Sequence, residues 1–177
     1  MTESLAPKST QQLKTALERI HKRIQQAAEH ANRSVDEISL LAVSKKQPLQ
    51  QMKKLYSLGQ GAFGESYTSE AKEKQYNWKT DPVEWHFIGP LQSNKTQYIA
   101  EHFQWVQSVD RAKLISRLAS QRPPQQAPLN ICIQINISAE TNKGGCRPGE
   151  LWDLAQQVAS HSNLRLRGIM SIGSKQA

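Results

Sequence analysis

The side chains best suited to chemistry lie at or near the ends of predicted strands. Lys45 follows the apolar segment 38–44 and, because alternate strand residues share a face, lies on the same face as Leu41 and Val43. In barrels built from parallel strands, the active site lies at the carboxyl ends of the strands. Lysines at strand ends are also commonly just solvated, so the pattern leaves a binding role and a surface role open.

A second pattern lies in segment 130–137, which alternates apolar and polar residues. Its isoleucines form one face, and the other face consists of Cys132, Gln134 and Asn136. A barrel interior filled only for stability prefers branched apolar side chains, so a polar row inside indicates a ligand. A satisfied network of buried hydrogen bonds explains the row equally well. In segment 84–88, His86 faces the same way as Glu84 and could bind a ligand or serve the core.

The elements that must position these residues follow a regular order. Predicted strands begin at 38, 62, 84, 105, 130 and 164, and amphipathic helices separate them. Strands alternating with helices predict right-handed βαβ units and a parallel sheet. The first strand is followed by a turn without glycine (44–48), which disfavours a dinucleotide-binding open sheet. We therefore predict an α/β fold of the (β/α)8 TIM-barrel type that lacks the last two strands and their helices.

Composition narrows the function classes. The 177 residues carry 23 Lys+Arg and 15 Asp+Glu, a net charge of +8, and are enough for one domain, 1–177, with a frayed terminus over 1–8. The basic clusters are not interleaved with aromatic residues, which argues against a nucleic-acid partner. No apolar run approaches the roughly 18 residues of a membrane helix, and no secretory signal is evident, so we expect a cytoplasmic protein. Cys132 and Cys146 have no metal-site spacing, so no metal is expected.

With these positions placed, the chain resembles the pyridoxal phosphate homeostasis protein family, whose barrel is shared with the N-terminal domain of alanine racemase. The resemblance covers nearly the whole chain from the first helix onward. The matching segments are LLAVSKKQP (40–48), FGESY (63–67), WHFIGPLQSNK (85–95), QINIS (134–138) and LRGIMSI (166–172).

The resemblance implies that pyridoxal 5′-phosphate (PLP) is the cofactor and that Lys45 holds it covalently as an internal aldimine. A neutral amine must attack the aldehyde, and partial burial at a barrel mouth lowers a lysine pKa. Ser66, His86 and Asn136 are the further candidate pocket residues, and no catalytic residue is assigned. Lys143 matches a family lysine and would either attract phosphate or be a solvated loop charge.

Three departures from the family pattern bear on this interpretation. Ser66 replaces the asparagine of the family's FGENY motif, which offers both a donor and an acceptor. Gly173 stands where the family usually has proline. The family's last two strands, which carry the phosphate-binding segment and an arginine facing the pyridine nitrogen, are not found in the sequence.

The function we expect is that of a PLP carrier for intracellular PLP homeostasis rather than a dedicated enzyme. Its partners would be PLP and PLP-dependent apo-enzymes, and the protein would be a monomer or a weak dimer. One alternative is a truncated or degenerate family member that retains PLP weakly. Another is a PLP-dependent amino-acid racemase, which is disfavoured because racemisation needs acid/base groups on both faces of the substrate carbon.

Overall fold

The computed structural model of the protein describes residues 8–79, 81–138, 140 and 143–173. In these residues the helices are α1 Thr10–His30, α2 Leu49–Ser57, α3 Thr68–Tyr76, α4 Thr96–His102, α5 Ala112–Gln121 and α6 Leu151–Ala159. The strands are β1 Ala42–Val43, β2 Ala62–Glu65, β3 Glu84–Phe87, β4 Trp105–Val109, β5 Leu129–Gln134 and β6 Leu164–Met170. The frayed terminus predicted for 1–8 lies outside the described residues except for Lys8.

The strands form a sheet whose order is the order of the chain, β1-β2-β3-β4-β5-β6. The pairs β3–β4, β4–β5 and β5–β6 are parallel, and a helix follows each of the first five strands. The predicted parallel α/β fold is confirmed, and most strand starts are within one residue of their predicted positions. Strand β1 is the exception: only two residues of segment 38–44 are paired in the sheet, and a 3-10 helix over Val35–Glu37 precedes the segment.

The chain divides into two compact units, one ending at Phe63 and the other beginning at Gly64. In the first unit, α1 begins at a capping box in which the Ser9 hydroxyl accepts from the Gln12 amide and the Gln12 side chain accepts from the Ser9 amide. The apolar stripe of α1 buries Leu13 and Leu17. Helix α2 ends at Gly59, whose φ of +97° is in the left-handed region that glycine adopts without strain.

The second unit has its core around β5, which pairs with both β4 and β6. Ile131 and Ile133 are 0 % exposed, as are Leu114, Ile115 and Leu118 of α5. Ile131 and Ile133 thus lie buried on the apolar face that the alternation of segment 130–137 predicts. Burial of this face determines which way the intervening polar side chains point, since alternate strand residues face opposite ways.

One part of that prediction is wrong. Ile137 was expected to pack with the other isoleucines, but its side chain is 61 % exposed. The physical reason is that β5 ends at Gln134, and the chain then turns back so that Ile135 forms an isolated bridge with Cys146. Ile137 lies beyond this bridge, where neither sheet pairing nor the helices cover it.

We predict that Ile133→Ala lowers the free energy of unfolding by about 2–5 kcal/mol, because it leaves a cavity in a fully buried site. Ile137→Ala is the matched control and should change it by less than about 0.5 kcal/mol, since most of that side chain is in solvent. Chemical denaturation of the two variants checks this. Equal losses at both positions would contradict the assigned core.

Candidate functional site

Lys45 lies in a tight turn that directly follows β1 and precedes α2. The amide of Gln47 donates to the carbonyl of Ser44 over 3.0 Å, which closes the turn around Lys45 and Lys46. The partial burial expected for Lys45 is wrong: its side chain is exposed, because the residue lies in the turn beyond the end of β1. No hydrogen bond or ion pair joins it to another described residue. Its amine is therefore open to molecules arriving from solvent.

Lys46 has a φ of +61°, in the left-handed region, where a residue with a side chain loses roughly 1–2 kcal/mol. Strain of this kind persists only where the surrounding structure enforces it, and it clusters at functional sites. Here the turn has to reverse the chain between β1 and Pro48, the residue that caps α2. The left-handed conformation of Lys46 thus gives Lys45 a defined backbone position in the turn.

Ser66 is the first residue after β2 and is half-buried. Its backbone packs directly against Gly89, which lies two residues beyond β3. An ideally placed Cβ on Gly89 would lie 2.2 Å from the Ser66 carbonyl oxygen. The amide of Ile88 donates to the Glu65 carbonyl over 2.9 Å, so a hydrogen bond next to this contact also holds the ends of β2 and β3 together.

A buried ion cluster immediately precedes Ser66, and sequence reasoning missed it. Glu65 is 0 % exposed, and its Oε1 lies 2.7 Å from the Nζ of Lys74 in α3. Lys74 also contacts Glu70 Oε1 at 2.6 Å. The Glu70–Lys74 pair has the i,i+4 spacing that a helix predicts. The contact with Glu65 has no local signal, because it depends on how α3 packs against β2.

His86 is buried within β3, and both of its ring nitrogens have partners. Nε2 lies 2.8 Å from Glu84 Oε1, and Nδ1 lies 3.0 Å from the Gln107 amide nitrogen. Because an amide nitrogen only donates, Nδ1 accepts and Nε2 carries the proton. The ring also stacks on Trp105 with centroids 5.1 Å apart. Burial lowers the pKa of His86 below 6.5, an effect larger than the opposing effect of Glu84.

Asn136 lies two residues beyond β5 and is held by the loop that follows. Its Nδ2 donates to the carbonyls of Glu140 at 2.8 Å and Lys143 at 3.2 Å, and these two acceptors identify which end of the amide is nitrogen. Its Oδ1 is buried and has no donor among the described residues. An unpartnered buried acceptor costs about 1–3 kcal/mol unless something donates to it.

The same loop depends on Gly145, whose φ is +126°. A Cβ there would lie 2.6 Å from the amide nitrogen of Asn136. The close approach lets the Asn136 amide donate to the Cys146 carbonyl over 3.0 Å, while the Cys146 amide donates to Gln134 over 2.8 Å. Asn136 therefore has a defined backbone position as well as a defined amide orientation.

Lys143 is tied within this loop rather than solvated. Its Nζ lies 2.7 Å from Glu140 Oε1 and donates to the Gly173 carbonyl over 2.9 Å. The hydrogen bond from Lys143 is the main cause of the lowered pKa of Glu140. Neither of the two roles expected for Lys143, phosphate attraction or a solvated charge, included this bridge.

The structure assigns the four predicted residues to separate environments. Lys45 belongs to the first unit, whereas Ser66, His86 and Asn136 belong to the second, where no hydrogen bond among the described residues joins the three side chains. Gly89, Ser108 and Gly145 are additional residues that shape these positions. In the described residues there is no cluster of His, Cys, Asp or Glu suited to a metal ion, and no helix long and apolar enough to cross a membrane.

Comparisons with known proteins agree with one another. The family model described as "Alanine racemase, N-terminal domain" matches residues 15–176. The pyridoxal phosphate homeostasis protein of Pasteurella multocida is 49% identical over 158 residues, which are 88% of this chain and 68% of that protein. The protein of the same name from Pseudomonas aeruginosa is 51% identical over 150 residues, 85% of this chain and 65% of its own. The chain thus spans about two thirds of the length of the curated relatives it matches.

Solved structures give the same result. PipY of Synechococcus elongatus, solved without PLP, superposes with a TM-score of 0.75 at 30% identity, covering 87% of this chain and 72% of PipY. The structure of PipY with PLP bound gives a TM-score of 0.73 at 29% identity over the same shares. An alanine racemase from E. faecalis, at 18% identity and a TM-score of 0.63, shares the fold; the match covers 88% of this chain and 42% of the racemase.

We predict that the free energy of unfolding falls when the pH drops below 6.5, in part because of His86. Since its pKa is lower in the folded protein, the unfolded chain binds more protons between the two pKa values, and stability rises with pH through that window. His86→Gln should flatten this dependence. An NMR titration of the His86 ring, identified by its loss in the variant, should give a midpoint below 6.5. A midpoint at or above 6.5 would contradict the prediction.

Proposed function

Because the chain belongs to the pyridoxal phosphate homeostasis protein family, we propose that it holds PLP covalently on the Nζ of Lys45. The observation that carries this proposal is the Lys45 turn: an exposed amine without a protein partner among the described residues, on a backbone closed by the Ser44–Gln47 hydrogen bond. The PLP in the solved structure of PipY supports the choice of ligand.

The donor set present in the chain fits this cofactor. The chemistry supplied by bound PLP is that of an aldehyde, which a neutral primary amine attacks. Lys45 offers a primary amine that is free of competing ion pairs among the described residues. The Asn136 Oδ1 is a buried acceptor without a donor among the described residues, and PLP carries protonatable groups that donate. Ser66 adds a hydroxyl that both donates and accepts.

We propose a separate role for each candidate residue. The turn around Lys45 and Lys46 holds the reacting amine at the end of β1. Ser66 and Asn136 are proposed to bind polar groups of the cofactor, each from the segment that follows a strand. His86, whose two nitrogens already have protein partners, is proposed to support the pocket by fixing Glu84 and Gln107 rather than by donating to the cofactor.

The physiological role that we propose is to hold and release PLP within the cytoplasm, with PLP-dependent apo-enzymes as recipients. The names of the relatives support homeostasis as the role, and the chain corresponds to about two thirds of those proteins. In this proposal, retention of the cofactor depends on its covalent attachment to Lys45. Loss of the amine should therefore abolish retention rather than weaken it.

We predict that Lys45→Ala abolishes the visible absorption band that develops when PLP is added to the protein. Borohydride reduction followed by peptide mapping should place the cofactor on the peptide containing Lys45 in the parent protein, and on no peptide in the variant.

Lys46→Ala is the matched control, since it removes the neighbouring amine from the same turn and leaves Lys45 intact. This variant should develop the band with the stoichiometry of the parent protein. If the reduced label lies on other lysines of the parent, or if Lys45→Ala takes up PLP at the same stoichiometry, the proposal is wrong.

A further inference from the structure

Three successive strand ends of the second unit are joined through one glycine. Ser108 in β4 is 2 % exposed, and its hydroxyl donates to the Gly89 carbonyl over 2.5 Å. Gly89, beyond β3, in turn packs its Cα against the backbone of Ser66, beyond β2. The contacts therefore run in one line from β4 through Gly89 to Ser66.

From this line we infer that Gly89 and Ser108 are positioning residues that determine where Ser66 lies. The inference rests on the proposed function, because it assigns Ser66 to the PLP pocket. Neither Gly89 nor Ser108 is proposed to touch the cofactor. Their effect on binding passes through the backbone of Ser66.

Position 89 requires glycine because there is no room for a side chain. Its φ is outside the left-handed region, so an alanine could adopt the same backbone conformation. An alanine Cβ, however, would lie 2.2 Å from the Ser66 oxygen, 2.6 Å from its Cα and 2.8 Å from its carbonyl carbon. All three atoms are backbone atoms, so the clash cannot be relieved by rotating a side chain. The backbone at Ser66 or at Gly89 would have to move, which changes the contact between them.

The position of Ser66 cannot adjust freely, because its neighbours are anchored. The Glu65 carbonyl accepts from Ile88, and the buried Glu65 carboxylate contacts Lys74. The hydroxyl of Ser108 meanwhile holds the Gly89 carbonyl from the opposite side. A serine side chain is also shorter than an asparagine, so its hydroxyl reaches a ligand only from a narrow range of backbone positions.

The experiment compares Gly89→Ala, Ser108→Ala and Ser108→Thr with Gly149→Ala. Gly149 is the matched control, because a Cβ there meets nothing within 4 Å. For each variant, the Ser66 amide is followed by ¹⁵N–¹H NMR without PLP, the PLP Kd is measured by absorbance titration, and thermal unfolding is recorded. The Ser66 amide shift reports position independently of cofactor binding.

We expect Gly89→Ala to shift the Ser66 amide and to raise the PLP Kd about 10-fold, the equivalent of one lost hydrogen bond. Ser108→Ala should shift the same amide and raise the Kd less, whereas Ser108→Thr, which keeps the hydroxyl, should restore the parent values. Gly149→Ala should leave both unchanged. If Gly89→Ala does not fold, the comparison of Ser108→Ala with Ser108→Thr tests the inference.

The inference is overturned if the Ser66 amide stays in place in Gly89→Ala and Ser108→Ala, or if their Kd values match that of Gly149→Ala. If PLP uptake by the parent depends on Lys45 while these variants bind normally, only the positioning inference fails. A parent protein that takes up no PLP overturns the proposed function and this inference with it.

Discussion

The burial of the β5 isoleucines is the interaction on which the second unit depends. β5 pairs on both sides, and Ile131 and Ile133 are fully buried. Because side chains alternate across a strand, this apolar face forces the intervening residues to the other face of the sheet. Gln134, at the end of β5, is oriented by the same alternation, and Asn136 follows it. Burial of the apolar face therefore determines the direction of the polar side chains within β5, whereas Asn136, beyond the strand, is held by hydrogen bonds of the loop that follows.

In the segment after β5, backbone hydrogen bonds and a glycine position the chain, as the burial of side chains does in the core. Once the strand ends at Gln134, the chain has to turn back while satisfying its exposed amides and carbonyls. The reciprocal bonds between the segment at Asn136 and Cys146 do this, and they require the close approach that Gly145 permits. The donors of the Asn136 amide are consumed by loop carbonyls, and its oxygen is left over. Among the described residues, the buried Asn136 oxygen therefore has no donor once this loop has closed.

Much of the fold could be predicted because its signals are local. The alternation in segment 130–137 and the succession of strands and helices depend on neighbouring residues, and the structure confirms both apart from the exposed Ile137. The features that sequence reasoning missed depend on packing between elements. The Glu65–Lys74 contact joins a strand to a helix, and the space that excludes a side chain at Gly89 belongs to Ser66, twenty-three residues earlier. No periodicity encodes either.

The proposed role in holding PLP agrees with the way the titratable groups near the candidate residues are occupied. Acid/base catalysis needs a group that can take up and release a proton at the reacting atom. His86 receives a hydrogen bond from Gln107 on one nitrogen and contacts Glu84 with the other, so protonating Nδ1 would break an existing bond. Burial further stabilises its neutral form. Lys74 and Lys143 are likewise engaged with carboxylates. Lys45, by contrast, has no hydrogen bond or ion pair with another described residue, and the proposed covalent capture of PLP requires an amine that is not engaged in this way.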